Sequence, residues 1–240
     1  MNLLLTGGSR GLGLQIAEHQ LSLGHQVYVV SRNVTKELDS LLRKFPERAC
    51  FIDCDLADTG QIKKRVFDDQ IGKETPLHGL ISNAATAYDD LLTNLQPEPL
   101  HSMFQTNVYA PMFLTKYVVR NMLLHEVAGS IVHISSISAH TGYKGLAMYA
   151  ATKGAIESFS KNTAREWGSK GIRSNCVVAG FMETEMSSSL SNEQRDRIHK
   201  RTALKRPTSL VSVASTVEYL LSDGSQSVTG QNLFVDSGTI

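Results

Sequence analysis

Thr6-Gly7-Gly8-Ser9-Arg10-Gly11-Leu12-Gly13 follows directly on the apolar run Leu3 to Leu5 and opens a helical pattern that reaches residue 23. A turn of this composition between a strand and a helix has a physical purpose. Glycines let the chain turn tightly and bring backbone N–H groups and the positive end of a helix close to a pyrophosphate. Gly7, Ser9, Arg10, Gly11, Leu12 and Gly13 are therefore candidate dinucleotide-binding residues. The same letters also satisfy Gly-x-Ser-x-Gly, the turn that presents a serine nucleophile in some hydrolases, with Ser9 in that role. A hydrolase needs an acid and then a histidine later in the chain, and late in this chain only His199 is available, in a charged helical stretch.

Outward from this turn, short β-branched runs alternate with longer helical patterns to the end of the chain. Strands are expected at 2–6, 26–31, 49–54, 79–83, 129–135, 172–178 and 232–235. Helices are expected at 11–23, 35–45, 58–72, 99–125, 149–169 and 209–222, with a further stretch near 187–201. Repeated βα units of this kind predict an α/β fold, a parallel sheet of about seven strands with helices on both faces. Ligands of such sheets bind beyond the carboxyl ends of the strands, where strand order reverses.

The 240 residues are 41% hydrophobic and 20% charged, with a net charge of +1. One domain spanning 1–240 is expected, with no global field to recruit nucleic acid. Three cysteines without a Cys-x-x-Cys pair suggest neither a disulfide framework nor a metal site. The apolar run at Leu3 to Leu5 is too short for a secretory signal, and no stretch approaches a membrane span. A cytoplasmic protein is the expectation.

Cofactor choice is read at the end of the second strand, Val30-Ser31-Arg32-Asn33, where an acid would bind a ribose 2′-hydroxyl. No acid stands there. Arg32, with Arg10, offers a guanidinium for a 2′-phosphate, which favours NADP(H) over NAD(H).

Tyr149-Ala150-Ala151-Thr152-Lys153 places a phenol and an ammonium four residues apart at the start of a helix, hence on one face. An unperturbed tyrosine has a pKa of about 10, and a nearby ammonium is expected to lower it. The preceding strand ends Ile134-Ser135-Ser136, so a hydroxyl can stand beside the phenol and meet developing charge on a substrate oxygen. Ser136 is the first candidate, with Ser135 and Ser138 as alternatives; alternation sends Ser135 and Ser136 to opposite faces. Asn107 lies four residues before Pro111 inside an expected helix. Proline has no N–H, so the Asn107 carbonyl should lose its helical donor and the helix should kink, freeing that carbonyl to hold a water on a proton path from Lys153.

With Thr6 to Gly13, Asn107, Ser136, Tyr149 and Lys153 together, the chain resembles the short-chain dehydrogenase/reductase family over nearly its whole length, nearest its 3-oxoacyl-acyl-carrier-protein reductase branch. The resemblance implies a Rossmann-like doubly wound fold and hydride transfer between NADP(H) and a carbonyl or alcohol, with a 3-oxoacyl thioester among the candidate substrates and no metal. It implies Tyr149 as acid/base, Lys153 as its partner and ribose holder, Ser136 orienting the carbonyl and Asn107 supporting a proton relay. It also implies Asp55 and Leu56 at the adenine, Asn83 and Ala84 near its ribose, and Thr184 at the nicotinamide carboxamide. Two departures stand out, Ala85 for a usual glycine and Ala179 for a usual proline, and neither removes a reacting group. A binding protein that kept the fold without turnover is the alternative reading.

Two surfaces complete the expectations. The helix from 99 to 125 carries Phe104, Tyr109, Phe113, Tyr117 and Leu124 on more than one face, so self-association as a dimer or tetramer is expected, with the 149–169 helix as companion surface. The segment 182–206 is expected over the substrate, with Met182, Met186 and Leu190 as apolar lining. Its basic rim of Arg195, Arg197, Lys200, Arg201, Lys205 and Arg206 could attract an anionic acyl carrier protein, although a solvated face is the simpler account.

Overall fold

A computed structural model describes residues 1–184 and 191–240. All seven expected strands are present: β1 (Asn2–Thr6), β2 (Gln26–Ser31), β3 (Ala49–Asp53), β4 (Gly79–Ser82), β5 (Ser130–Ser136), β6 (Arg173–Ala179) and β7 (Asn232–Val235). They form one sheet in the order β3-β2-β1-β4-β5-β6-β7, and every neighbouring pair is parallel. Strand order reverses between β1 and β4, so the crevice beyond their carboxyl ends is where a ligand belongs.

Side-chain alternation explains why both faces are covered. In β1, Leu3 and Leu5 enter one core with α1 (Gly11–Ser22) and α7 (Leu210–Leu221), and Leu4 enters the other with α4 (Ala110–Leu124). All three leucines are fully buried, which removes the alternation of polar and apolar residues that a half-exposed strand would show. α2 (Lys36–Lys44) lies on the first face, where Leu38 and Leu41 join that core, and Thr35 caps it by accepting from the Leu38 N–H. α5 (Ala147–Trp167) covers β5 and β6.

Two expected α-helices are wound differently. Lys63–Ile71 is a π-helix, and its salt bridges, Lys63 to Asp68 and Lys64 to Asp69, span five residues, as the wider turn requires. The expected 99–125 helix is α3 (Pro97–Phe104), a π turn (Gln105–Tyr109) and α4 in succession. Within the turn the Ala110 N–H donates to the Gln105 carbonyl, an i to i−5 bond immediately before Pro111. Where a kink at the proline is expected, the helix widens into a π turn immediately before it.

The stretch expected at 187–201 is observed as α6 (Asn192–Arg201), with a capping box between Ser191 and Gln194. Positions 187–190 of that expectation, and Met186 with Leu190, lie outside the described residues. No helix among the described residues is long and apolar enough to cross a membrane.

Candidate active site

The glycine turn sits at the β1–β4 switch point. Gly7 and Gly11 have φ of 69° and 54°, the left-handed region that favours glycine. Gly13 is required for space: a Cβ there would stand 2.0 Å from the Gly7 carbonyl oxygen. Asn83 locks the turn to β4, because its Nδ2 donates to the carbonyls of Thr6 and Gly7 at 3.0 and 3.1 Å. The backbone N–H groups of Asn83 and Ala84 both donate to Thr6 Oγ1. The N-cap of α1, Arg10, makes no side-chain capping bond, and the helix begins directly after the glycine turn. A backbone cradle that leaves no room for a Cβ at Gly7 and Gly13, beside a helix N-terminus, fits a dinucleotide pyrophosphate.

The remaining cofactor candidates surround this turn. The Thr35 hydroxyl donates to the Ser9 carbonyl over 2.6 Å and fastens the segment after β2, which carries exposed Arg32, to the glycines. Asp55 closes the turn after β3 by accepting from the Ala57 N–H, with Leu56 buried beside it. Thr184 lies over Gly11, where a Cβ added to the glycine would meet the Thr184 side chain at 3.7 Å. Ala179 completes β6, paired with Ser136 on one side and Val235 on the other, so the residue that replaces a proline extends the ladder.

The chemical half stands on β5, α5 and the π turn. Tyr149 and Lys153 share one face of α5, with the Lys153 ammonium 5.5 Å from the centre of the Tyr149 ring. Lys153 is buried and donates to the Ile134 carbonyl over 2.8 Å. Ser135 and Ser136 diverge as alternation requires: Ser135 Oγ donates to Glu157, whereas Ser136 Oγ accepts from the N–H and hydroxyl of Ser138. Ser136 is thereby the hydroxyl left at the strand's carboxyl end. Asn107 is held by its side chain, with Oδ1 accepting from the Thr86 N–H and Nδ2 donating to the Thr86 carbonyl and to Thr152 Oγ1. It thus joins the π turn, the segment after β4 and α5, and the lysine's carbonyl partner is on β5.

One electrostatic expectation is corrected. The sequence predicts that Lys153 makes Tyr149 more acidic, but burial raises the phenol's pKa and Asp89 raises it further. Lys153 is itself lowered to about 8 by burial, against an upward pull from Cys176 and Glu157. Asp89 goes unnoticed in the sequence because its approach to Tyr149 depends on the path of the loop after β4. The glutamate that faces Ser135 is likewise missed, although its place eight residues after Tyr149 puts it on the same helical face. His199, the late histidine of the hydrolase alternative, packs on Phe181 and lies 3.8 Å from Glu183.

Comparison with known proteins agrees with this geometry. A family model described as enoyl-(acyl carrier protein) reductase matches residues 7–239. The chain is 32% identical over 237 residues to a 3-oxoacyl-acyl-carrier-protein reductase of Salmonella typhimurium, covering 98% of this chain and 95% of that one. It is 31% identical to the protein of the same name from Chlamydia trachomatis, covering 98% and 95%. Among solved structures, a gluconate 5-dehydrogenase from Burkholderia cenocepacia in complex with NADP and tartrate superposes with a TM-score of 0.92 at 28% identity, covering 99% of this chain and 94% of that one. ElxO with NADP bound superposes at 0.89 with 29% identity, covering 99% and 98%.

Proposed function

Because the chain belongs to the short-chain dehydrogenase/reductase family, we propose that it moves a hydride between NADP(H) and a carbonyl or secondary alcohol, with Tyr149 as proton donor. The single observation that carries this reading is convergence. The cradle of Gly7, Gly11 and Gly13 follows the carboxyl end of β1, Ser136 stands at the carboxyl end of β5 with only β4 between the two strands, and Tyr149 and Lys153 stand on α5, which packs on β5. NADP(H), when bound, supplies or accepts the hydride.

Every other part belongs to the chain. Gly7, Ser9, Arg10, Gly11, Leu12 and Gly13 hold the pyrophosphate, Arg32 with Arg10 meets the 2′-phosphate, and Asp55 and Leu56 receive the adenine. Asn83 and Ala84 stand near the adenine ribose, and Thr184, Tyr149 and Lys153 hold the nicotinamide and its ribose. The Ser136 hydroxyl orients the substrate oxygen, and Tyr149 gives it a proton. A phenol kept protonated by burial suits that direction, since a proton donor must hold its proton until charge appears on the acceptor. Lys153 and Asn107 keep α5 and the turn in register, which is where much of the rate of such a reaction arises.

Substrate and assembly follow from surfaces. A 3-oxoacyl thioester is the first substrate class to test, and the exposed Arg197, Lys200, Arg201, Lys205 and Arg206 give an acidic carrier protein a complementary face. Tyr109, Phe113 and Leu124 are 42%, 39% and 65% exposed along the π turn and α4, which supports a homo-oligomer, dimer or tetramer, built on that surface. Three unpaired cysteine thiols suit the reducing cytoplasm.

The test is NADPH consumption over acetoacetyl thioesters, ketones, sugars and quinones by wild type and Tyr149→Phe. Tyr149→Phe is expected to bind NADPH and to lose turnover by about 10²-fold or more. Equal rates for the two proteins would overturn the assignment, and NADPH binding without turnover of any carbonyl would favour a regulatory binding protein.

A further inference from the structure

Two arms of backbone, the glycine turn and the segment after β2, are tied to each other at both ends. At the base the Gly7 N–H donates to the Val30 carbonyl of β2 over 2.8 Å. At the tip the Thr35 hydroxyl donates to the Ser9 carbonyl over 2.6 Å. The ring closed by these bonds runs through residues 7–9 on one side and 30–35 on the other. Ser31 tightens the second side, since its hydroxyl donates to the Asn33 carbonyl over 3.0 Å. Thr35 is also the N-cap of α2: the same oxygen accepts from the Leu38 N–H at 3.2 Å, and Leu38 is fully buried in the core beside Leu41. A hydroxyl has one proton to give and lone pairs to offer. Thr35 gives the proton to the glycine turn and a lone pair to the helix, so one side chain anchors the tip of the ring to the core.

We propose that Thr35 is a positioning residue for coenzyme choice, the latch that holds the arm carrying Arg32 at a fixed spacing from the arm carrying Arg10, so that both guanidiniums meet one 2′-phosphate. The inference rests on the reading of Arg10 and Arg32 as the partners of that phosphate. The two cations flank the latch: Arg10 directly follows Ser9, and Arg32 precedes Thr35 by three residues. NADH and NADPH differ only in the 2′-phosphate, so contacts at the pyrophosphate are common to both. The turn that makes those contacts keeps its shape through its own glycines and through Asn83. What NADPH adds is a contact that needs both arms at once. Arg32 is an exposed, long side chain on the segment between β2 and α2. Ordering such a group on a phosphate costs conformational entropy, and a backbone already fixed at both ends lowers that cost. Loss of the latch therefore penalises NADPH and spares NADH.

The readout is the ratio of the NADH to the NADPH dissociation constant, measured by fluorescence titration of the full chain, which needs no turnover. Thr35→Val keeps the shape of the side chain and removes both the proton and the lone pairs. It is expected to lower the ratio by about five- to ten-fold, the worth of one hydrogen bond on the affinity scale. Thr35→Ser, which keeps the hydroxyl, should restore it. Arg32→Ala should lower the ratio as well, and Thr35→Val added to Arg32→Ala should lower it little further, because the latch acts through that arginine. A hydroxyl that serves only as a helix cap would lower the melting temperature or weaken both coenzymes alike; an unchanged ratio in Thr35→Val overturns the proposal. Additive losses in the double variant overturn it too. If Thr35→Val does not fold, Thr35→Ala is read in its place against the same expectations. A wild-type ratio near one, or an Arg32→Ala ratio equal to that of wild type, removes the phosphate reading and the latch with it. A ratio that falls in Arg32→Ala and holds in Thr35→Val removes the latch alone. A protein inactive toward every carbonyl would sink the hydride-transfer reading and leave these binding ratios decisive.

Discussion

The Lys153 ammonium is pinned to the Ile134 carbonyl over 2.8 Å while only 5% exposed. A cation held this way burdens the fold that carries it. Its folded-state pKa, about 8, lies below the ordinary 10.5. Between those values the unfolded chain holds a proton that the folded chain has released, so stability falls as pH drops through the window and stays lowered beneath it. Lys153→Met is therefore expected to be inactive yet more stable than wild type near neutrality, by up to roughly 3 kcal/mol. Urea unfolding of the two proteins at neutral pH and near pH 10 checks this, with the gap closing at the higher value. A Met variant less stable at both would show that the lysine's contacts outweigh its desolvation.

His133 makes the opposite kind of demand. Both of its ring nitrogens are buried without a hydrogen-bond partner among the described residues. Its pKa is about 3 when folded against an ordinary 6.5. The unfolded chain thus gains a proton first as pH falls below 6.5, and stability declines from there toward about 3. His133→Met should remove this acid sensitivity, and at about pH 5 the variant should gain about 2 kcal/mol relative to its advantage at neutral pH. Thermal melting across that range would show parallel curves if the imidazole were not the cause.

At the glycine turn, space alone decides. A Cβ on Gly13 would stand 2.0 Å from the Gly7 oxygen and 2.6 Å from Asn83 Nδ2. Both are parts of the bracket that fixes β1 to β4, so neither can yield without opening it. Gly13→Ala should lose at least about 3 kcal/mol of stability and its NADPH binding together. Unchanged melting and unchanged fluorescence titration with NADPH would mean that the turn has another geometry.

What the sequence discloses follows from the range of the forces involved. The strands are legible because each is a short apolar run, such as Leu3 to Leu5, bounded by turn residues. Arg10 and Arg32 can be named from position alone, as can the Tyr149 and Lys153 pair. The π winding at 63–71 is missed, although buried Ile62, Val66 and Ile71 are spaced by four and five residues, wider than an α-helix repeats. Pro111 does announce a break, but only the folded backbone shows that the helix widens there. The direction of the Tyr149 shift is misread for a related cause: desolvation is a property of the assembled interior, and neither Asp89 nor the depth of burial can be counted from neighbours in sequence.

β5 wears two faces with different histories of compromise. On one, Val132 and Ile134 meet Val177 and the α1 and α7 side chains in tight apolar packing. On the other, His133 and Ser135 lie under α5 with groups that a designer seeking stability would replace. The strand is therefore frustrated on one side and optimised on the other. Substitutions that strengthen this protein should cluster beneath α5, and each should be tolerated only as far as the proposed reaction can do without the group it removes.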